Sequence, residues 1–318
     1  MSFSFKRLFG KNTQRQKLKN LDHAVRQLER QLEQSTLLAA QTLVRQNRAI
    51  REPVPLRQTE FKVSSQFGDD GIIQYIVNRL NLPAAEQRFV EFGVETYREA
   101  NTRFLLMNDN WSGLIMDGSA ENMATVQRDD IYWRYELTAR AHFITRENID
   151  DLLRQAGVTG RIGLLSVDID GNDYWVWQAI TAIDPALVIV EYNGLFGGKE
   201  AVTVPYQPDF MRSQAHYSHL YSGASLRSLC VLAEQKGYVW IGCNSAGNNA
   251  YFIRKEHAGL FLPVRLPDDF VAAKFREGRA ENGRLNFLGQ KSGRDLLKDL
   301  PVHDVLRNET RLIRDLEY

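Results

Sequence analysis

Cysteine and long apolar runs are both scarce in this chain. Cys230 and Cys243 are its two cysteines among 318 residues, too few for a disulfide framework and without the spacing of metal ligands. No apolar stretch approaches the ~20 residues that cross a bilayer, and the first residues lack the apolar core and cleavage site of a signal peptide. These absences predict a globular protein of the cytoplasm.

Net charge is also small, +1 over the whole chain, but it is unevenly distributed. Residues 1–60 hold 12 Lys or Arg against 5 Asp or Glu, so the remainder carries a net charge of −6. A basic arm on an acidic body favours peripheral contact with an anionic surface, such as the inner face of the membrane; a solvated helix is the alternative. Four apolar residues near the start would lie in that interface, unless they belong to a disordered tail: Phe3, Phe5, Leu8 and Phe9.

Apolar residues at alternating steps of three and four predict a helix with a coiled-coil seam. They are Leu18, Leu21, Val25, Leu28 and Leu32. The repeat is short, so pairing with another copy of the chain and packing against the chain's own domain both stay open. Pro53 and Pro55 end this segment, because proline removes a backbone donor and restricts the residue before it. We therefore assign residues 1–52 to a basic N-terminal helix and expect a homo-oligomer.

From residue 60 onward the chain alternates apolar strands with amphipathic helices. Strands are predicted around Phe89, at 111–116, at 132–141 and around Leu164 and Leu187, and two more follow at 238–242 and 250–253. Such alternation indicates a parallel sheet that helices cover on both faces. We predict an α/β fold, with a doubly wound, Rossmann-like domain over residues 60–257 and a polar helical extension over residues 258–318.

Carboxylates follow four of the predicted strands: Glu91, Asp117, Asp168 and Glu191. Ligands of open α/β sheets bind beyond the carboxyl ends of the strands, so these acids predict a ligand crevice. At the end of the second strand, Asp117 is placed to accept both hydroxyls of an adenosine ribose, and Gly93 allows close backbone approach. The three glycines of a pyrophosphate loop are absent, so a nucleoside with a positive or zwitterionic end, such as S-adenosylmethionine, fits better.

Several motifs in the same order resemble the FkbM-type S-adenosylmethionine-dependent methyltransferases, and in particular a branch found with bacterial surface-polysaccharide genes. The motifs are Ser65-Gln66-Phe67-Gly68-Asp69-Asp70-Gly71, Phe89-Val90-Glu91-Phe92-Gly93-Val94-Glu95, Asn101-Thr102-Arg103, Trp111-Ser112-Gly113 with Asp117-Gly118, and Val167-Asp168-Ile169-Asp170-Gly171. The resemblance covers roughly residues 60–255. It implies a class I methyltransferase with seven cofactor-binding residues: Gln66, Glu91, Gly93, Glu95, Thr102, Asp117 and Asp168.

Two positions depart from the family pattern. Many members carry a second glycine where this chain has Thr96-Tyr97, and FkbM proteins often have glutamate at the position of Asp170. The second departure is compatible with a different acceptor or with a metal.

A magnesium site is a further hypothesis. Oxygen ligands at the ends of two neighbouring strands suit Mg²⁺, and the candidates are Asp168, Asp170, Glu191 and Asn193. Such an ion could bind two vicinal sugar hydroxyls and lower the pKa of one of them. The alternative is a simple turn at residues 170–172 with Asp173 capping the next helix.

Methyl transfer to a hydroxyl needs close alignment and a base. Asp168 is predicted near the methyl group, and His216 is the preferred base, with His142 as the other candidate. A polar aromatic loop after the fifth strand suits a saccharide, whose predicted contacts are Tyr206, His216, Tyr221 and Asn248. The alternatives are loops that only close the domain.

These observations favour an O-methyltransferase that acts on a sugar hydroxyl of a surface polysaccharide or its precursor, with no nucleic-acid partner. A metal-dependent glycosyltransferase using the Asp168/Asp170 pair is the first alternative. A non-catalytic scaffold with a degenerate methyltransferase fold is the second.

Overall fold

A computed structural model describes residues 3–317, with the backbone alone for residues 3–14 and for residue 26. Helix α1 spans Phe3–Arg48 and is followed by nine further helices within the described residues. These are α2 (Asp69–Leu80), α3 (Arg103–Asp109), α4 (Ala120–Arg128), α5 (Asp130–Arg134), α6 (Ile149–Gln155), α7 (Asp173–Ala179), α8 (Arg212–Ala215), α9 (Leu226–Gln235) and α10 (Gln290–Leu297).

Ten strands form two sheets. They are β1 (Arg88–Phe92), β2 (Ser112–Asp117), β3 (Leu137–Ala141), β4 (Gly160–Val167), β5 (Ile183–Glu191), β6 (Val202–Thr203), β7 (Tyr238–Cys243), β8 (Asn249–Arg254), β9 (Pro301–Asp304) and β10 (Glu309–Leu312). The large sheet has seven strands in the order β3-β2-β1-β4-β5-β8-β7. Strands β1 to β5 pair in parallel, and β8 runs antiparallel to both of its neighbours.

Helices cover both faces of this sheet. Side chains of α2, α3, α4 and α5 pack on one face, and those of α6, α7 and α9 pack on the other. Because both faces are covered, the strands of this sheet are continuous apolar runs in the sequence. The strand order reverses between β1 and β4, and the carboxyl ends of these two strands open a crevice. The predicted doubly wound, Rossmann-like sheet is confirmed.

One predicted strand is shorter than the sequence pattern indicates. Residues 132–134 belong to helix α5, and β3 begins only at Leu137. Asp129 accepts a hydrogen bond from the backbone N–H of Ile131 and caps this short helix, which explains why an apolar, aromatic segment starts as helix.

The C-terminal residues differ more from the predicted helical extension. Among the described residues they contain one α-helix, α10, a short 3-10 helix at Ile313–Asp315, and the antiparallel strands β9 and β10. Strand β9 also pairs with β6. Residues 262–289, which we call the strap, hold no helix and no strand. The strap crosses the carboxyl edge of the large sheet, where the backbone of Lys274 donates to Ala246 O at 2.8 Å and Phe275 stacks on Phe67 at 5.5 Å.

Helix α1 packs on the domain through its second half. Ala40 and Val44 are buried with Phe104, and Asn47 Nδ2 donates to the backbone of Thr59 and Gly71. The predicted coiled-coil residues stay exposed and do not pack on their own domain. The membrane-contact prediction for Phe3, Phe5, Leu8 and Phe9 falls on side chains outside the described residues. Within residues 3–317, no helix has the length and apolar character to cross a membrane.

Candidate active site

A cavity of about 430 Å³ lies at the carboxyl ends of β1, β2, β4 and β5. Its volume falls within the ~300–1,000 Å³ typical of small-molecule sites. We call it the cofactor cavity. It brings together ten of the residues predicted from the sequence: Gln66, Glu91, Gly93, Glu95, Asp117, His142, Asp168, Asp170, Glu191 and Asn248.

The turn after β1 depends on Gly93. This residue has φ +71°, and a Cβ on it would lie 1.6 Å from the backbone oxygen of Asp168. Only glycine therefore allows β1 and β4 to approach each other this closely at the edge of the cavity. The same contact holds the start of the turn at Asp168 against the loop after β1, which the sequence predicts to bind a cofactor.

Glu91 organises the loop that leads into α3. Its carboxylate accepts hydrogen bonds from the backbone N–H groups of Asn101, at 2.8 Å, and Thr102, at 3.0 Å, and from the Thr102 hydroxyl. Burial raises the pKa of Glu91 to about 7, because desolvation penalises the charged form. Thr102 is fully buried behind the cavity and acts through this loop.

Asp117 ends β2 and holds the neighbouring loop. Its Oδ2 accepts from the backbone N–H of Glu95 and its Oδ1 from that of Ser119, both at 2.8 Å. Oδ1 also accepts from Asn122 Nδ2 at 3.3 Å. Oδ2 keeps a second lone pair, with which Asp117 can still accept from a ligand hydroxyl.

Gln66 reaches the cavity from a segment that Asp70 holds. One oxygen of Asp70 accepts from the backbone N–H groups of Val63, Ser64 and Ser65 at 2.7 to 2.9 Å, and from the Ser65 hydroxyl. The motif at residues 65–71 is therefore a folded anchor that positions Gln66.

Three carboxylates converge at the far side of the cavity. Oxygens of Asp168, Asp170 and Glu191 lie within 4.8 Å of one another. Burial and the charge of Glu191 raise the pKa of Asp168 well above its usual range, and burial with the charges of Asp173 and Asp170 raises the pKa of Glu191 to about 8. Such a cluster holds a proton or a cation at neutral pH.

Arg212 already neutralises part of this cluster. Its Nη1 lies 2.8 Å from Asp170 Oδ1, and its Nη2 bonds Glu277 of the strap. The sequence does not indicate this residue, since an arginine at the start of the short helix α8 belongs to no recognisable motif. Phe275 and Glu277 of the strap also line the cavity without a signal in the sequence.

Two predicted residues have structural roles. Asn193 Oδ1 accepts from Leu195 N–H, and its amide donates to the backbone oxygens of Leu220 and Ser222 at 2.9 Å. With its amide engaged in this way, the metal candidates reduce to the three carboxylates. Asp173 accepts from the N–H groups of Ile169 and Gly171, so its carboxylate closes the turn.

Most of the predicted acceptor contacts lie elsewhere. Tyr206 bonds Glu147, His216 bonds Ser218 and stacks on Tyr217, and Tyr221 donates to the backbone of Pro301. Of the predicted acceptor contacts and candidate bases, Asn248 and His142 line the cofactor cavity. Tyr206, His216 and Tyr221 are not among the described residues that line it. The aromatic composition of the loop reflects its packing, because Tyr221 belongs to a separate apolar cluster beside the small sheet.

Neither a protein-family model nor a curated protein matches this sequence. Solved structures give partial matches to methyltransferases. An O-methyltransferase from Bacillus cereus in complex with S-adenosylhomocysteine (SAH) is 11% identical, with 69% of this chain and 89% of that chain covered and a TM-score of 0.37. The N-terminal domain of EvdMO1 with SAH bound is 12% identical, with 59% and 80% covered and a TM-score of 0.38. An S-adenosylmethionine-dependent methyltransferase from Clostridium acetobutylicum is 11% identical, with 58% and 90% covered and a TM-score of 0.38. Because these TM-scores are low, the fold is assigned from the strand order of this chain.

Proposed function

We propose that this protein is an S-adenosylmethionine-dependent methyltransferase. The observation that carries the proposal is the turn after β1, where Gly93 contacts the backbone of Asp168 and opens a cavity bordered by Asp117 at the end of β2. A nucleoside ligand at the edge of an open α/β sheet needs a backbone that can approach the ligand closely and a carboxylate that can accept hydrogen bonds from the ribose hydroxyls.

The residues present fit this cofactor. The cavity is lined by carboxylates and amides, which accept hydrogen bonds from ribose hydroxyls and attract the positive amino and sulfonium groups. Negative side chains such as Glu95 would repel a pyrophosphate. When bound, S-adenosylmethionine supplies an electrophilic methyl group on sulfur.

The carboxylate cluster is placed to accept the proton of an acceptor hydroxyl. In O-methylation the carbon–sulfur bond breaks as the carbon–oxygen bond forms, SAH leaves as a neutral thioether, and the hydroxyl proton passes to a base. Glu191 suits that role because burial and nearby carboxylates raise its pKa to about 8, which places its proton exchange near neutral pH. The adjacent Asp168 carboxylate also has a pKa raised well above its usual range. This assigns to Glu191 the role that the sequence suggested for His216.

A divalent cation is a second way to neutralise the cluster. Asp168, Asp170 and Glu191 would hold Mg²⁺, which would act as a Lewis acid toward sugar hydroxyls. The Arg212 contact to Asp170 competes with this binding. If the ion is required, chelation with EDTA abolishes methyl transfer and Mg²⁺ restores it; activity that persists in EDTA excludes it.

The proposed acceptor is a saccharide of a surface polysaccharide or its precursor. The support is the resemblance of the sequence motifs to the FkbM branch and the polar lining of the cavity by Gln66, Asn101 and Asn248. Product mass spectrometry with a panel of nucleotide sugars and glycan fragments identifies the methylated atom.

Ligand binding tests the function directly. We expect SAH and S-adenosylmethionine to raise the melting temperature, and UDP-sugars with or without Mg²⁺ to have no effect. Asp117→Ala should weaken SAH binding ~10- to 100-fold, since a carboxylate hydrogen bond contributes ~1.5–3 kcal/mol. Asp129→Ala is the matched control, because the Asp129 carboxylate likewise accepts from a backbone N–H two residues further on but does not line the cavity. Stabilisation by a UDP-sugar and Mg²⁺ alone would instead support a glycosyltransferase.

A further inference from the structure

A second cavity, of about 280 Å³, adjoins the cofactor cavity beyond the end of β5. The two share four lining residues, Glu191, Arg212, Phe275 and Glu277, so the second cavity opens directly onto the carboxylate cluster. The Arg212–Glu277 ion pair lies at the junction. A molecule in the second cavity can therefore present one end to Glu191.

The strap and α10 make the outer wall of this second cavity positive. Lys274 and Arg276 line it, and among the described residues no carboxylate pairs with either cation. Gln290, the first residue of α10, also lines it, and its side-chain Nε2 is buried without a hydrogen-bond partner. A buried donor without a partner lines the same cavity as two exposed cations that no carboxylate of the described chain pairs with, and this combination points to an anionic ligand.

The backbone that carries these cations is held in place. Ala272 O lies against Gly247, where a Cβ would approach it to 2.4 Å, and Lys274 N–H donates to Ala246 O at 2.8 Å. The Phe275–Phe67 stack holds the next residue. The backbone of the positive wall is therefore fixed, and Glu191 at the end of β5 lines the same cavity.

We infer that the second cavity binds the methyl acceptor and that this acceptor carries an anionic group, a phosphate or a carboxylate, which Lys274, Arg276 and Gln290 hold. The acceptor class is then an anionic saccharide, a sugar phosphate or a uronate, with a hydroxyl directed toward Glu191. This inference rests on the proposed function for its chemistry, while the anion site itself rests on the wall residues.

Calorimetric titration of the SAH-loaded protein tests the inference. The probes are the 1-phosphates of glucose, galactose and mannose, glucuronate and galacturonate, with the neutral methyl glycosides and inorganic phosphate as comparisons. We expect at least one anionic sugar to bind ~10-fold more tightly than its neutral counterpart and than inorganic phosphate. The phosphate and uronate probes distinguish the two sources of charge. Equal binding of anionic and neutral sugars, or of a sugar phosphate and inorganic phosphate, overturns the inference.

A double variant locates the site. Lys274→Ala with Arg276→Ala should weaken the anionic sugar ~10-fold or more and leave SAH affinity unchanged, because neither residue lines the cofactor cavity. Arg57→Ala with Lys255→Ala is the matched control, since it removes the same charges from residues that line neither cavity. Unchanged sugar binding in the first variant overturns the site. If SAH does not bind to the unmodified protein, the proposed function is contradicted. Titration of the anionic sugars without SAH then still tests the anion site.

Discussion

Gly93 has the tightest surroundings of any glycine among the described residues, because a Cβ at this position would lie 1.6 Å from the Asp168 carbonyl oxygen. The motif that contains Gly93 is visible in the sequence, but the reason for the glycine is a contact with a strand more than seventy residues away. The position of Gly93 after a predicted strand therefore indicated a ligand-binding loop, and the close packing of β1 and β4 explains why the residue is a glycine.

Gly93→Ala should weaken SAH binding at least ~10-fold and lower the melting temperature. The added methyl group displaces the Asp168 turn, and positive φ costs a further ~1–2 kcal/mol. Gly160→Ala is the matched control: Gly160 has the same φ of +71° and no atom within 4 Å. Calorimetry and thermal unfolding of both variants separate the clash from the backbone strain, and equal effects of the two substitutions would contradict this account.

Asp168 and Glu191 form a pair that the sequence placed on neighbouring strands, yet their protonation is a property of the folded state. Burial and nearby carboxylates raise both pKa values, that of Glu191 from 4.5 to about 8. The folded protein then binds protons that the unfolded chain has released, so this pair makes the free energy of unfolding fall as pH rises from about 4.5 to about 8.

Glu191→Gln should remove part of this pH dependence. Between pH ~6 and pH ~9, the free energy of unfolding of the unmodified protein should fall by ~1–3 kcal/mol more than that of the variant, because the amide cannot ionise. Urea unfolding at both pH values measures the difference, and Glu234→Gln on the exposed side of α9 is the control. Methyl transfer should fall in the Glu191 variant. An unchanged pH dependence would show that Glu191 does not carry the proton.

At the scale of elements, the segment before α2 acts as a folded anchor for the cofactor cavity. Helix α2 begins at Asp69, directly after this segment. The anchoring role of Asp70 depends on three backbone N–H groups that converge on one oxygen, a geometry that no periodicity encodes.

Asp70→Ala should lower the free energy of unfolding by ~3 kcal/mol or more, because three N–H groups lose their acceptor at a buried position. SAH affinity should fall as Gln66 loses its support. Urea unfolding and calorimetry measure the two effects, with Asp129→Ala as the control for loss of a single capping bond. A loss no larger than that of the control would contradict the anchoring role.

The strap and the C-terminal strands show where element prediction fails. Residues 258–318 have scattered apolar residues without a strong period, and helix was inferred from polarity alone. In the structure these residues are held by pairing of β9 with β6 and by close contacts at Gly194, Gly198 and Gly247. Such contacts come from distant parts of the chain and leave no local pattern.

At the scale of the whole molecule, α1 leaves an apolar stripe without a partner in the described chain. Leu21 and Leu28 are 62% and 64% exposed, and the stripe has the a/d spacing of a coiled coil. Residues 37–48 pack on the domain, and Arg30 and Glu33 form ion pairs with Asp130 and Arg103, while the leucines of the stripe stay exposed. A second copy of the chain is the partner that this seam favours.

Leu21→Glu with Leu28→Glu should lower the oligomeric state, because charges at a and d positions oppose seam packing. Multi-angle light scattering measures the mass of the assembly. Asn20→Glu with Gln27→Glu is the matched control, because it adds the same charge at positions outside the seam. The domain should keep its melting temperature in both variants. An unchanged mass in the leucine variant would show that α1 does not mediate self-association.

The sequence by itself determined the α/β class, most strand positions and the acids at the strand ends, because these depend on local apolar runs and on where those runs stop. It also predicted ten of the residues that line the cofactor cavity. The tertiary structure alone decided which of the acids meet, that Asn193 and Asp173 hold loops, and that Arg212 joins Asp170 to Glu277. Those roles arise between residues far apart in the chain, where proximity depends on strand order and on the path of the strap.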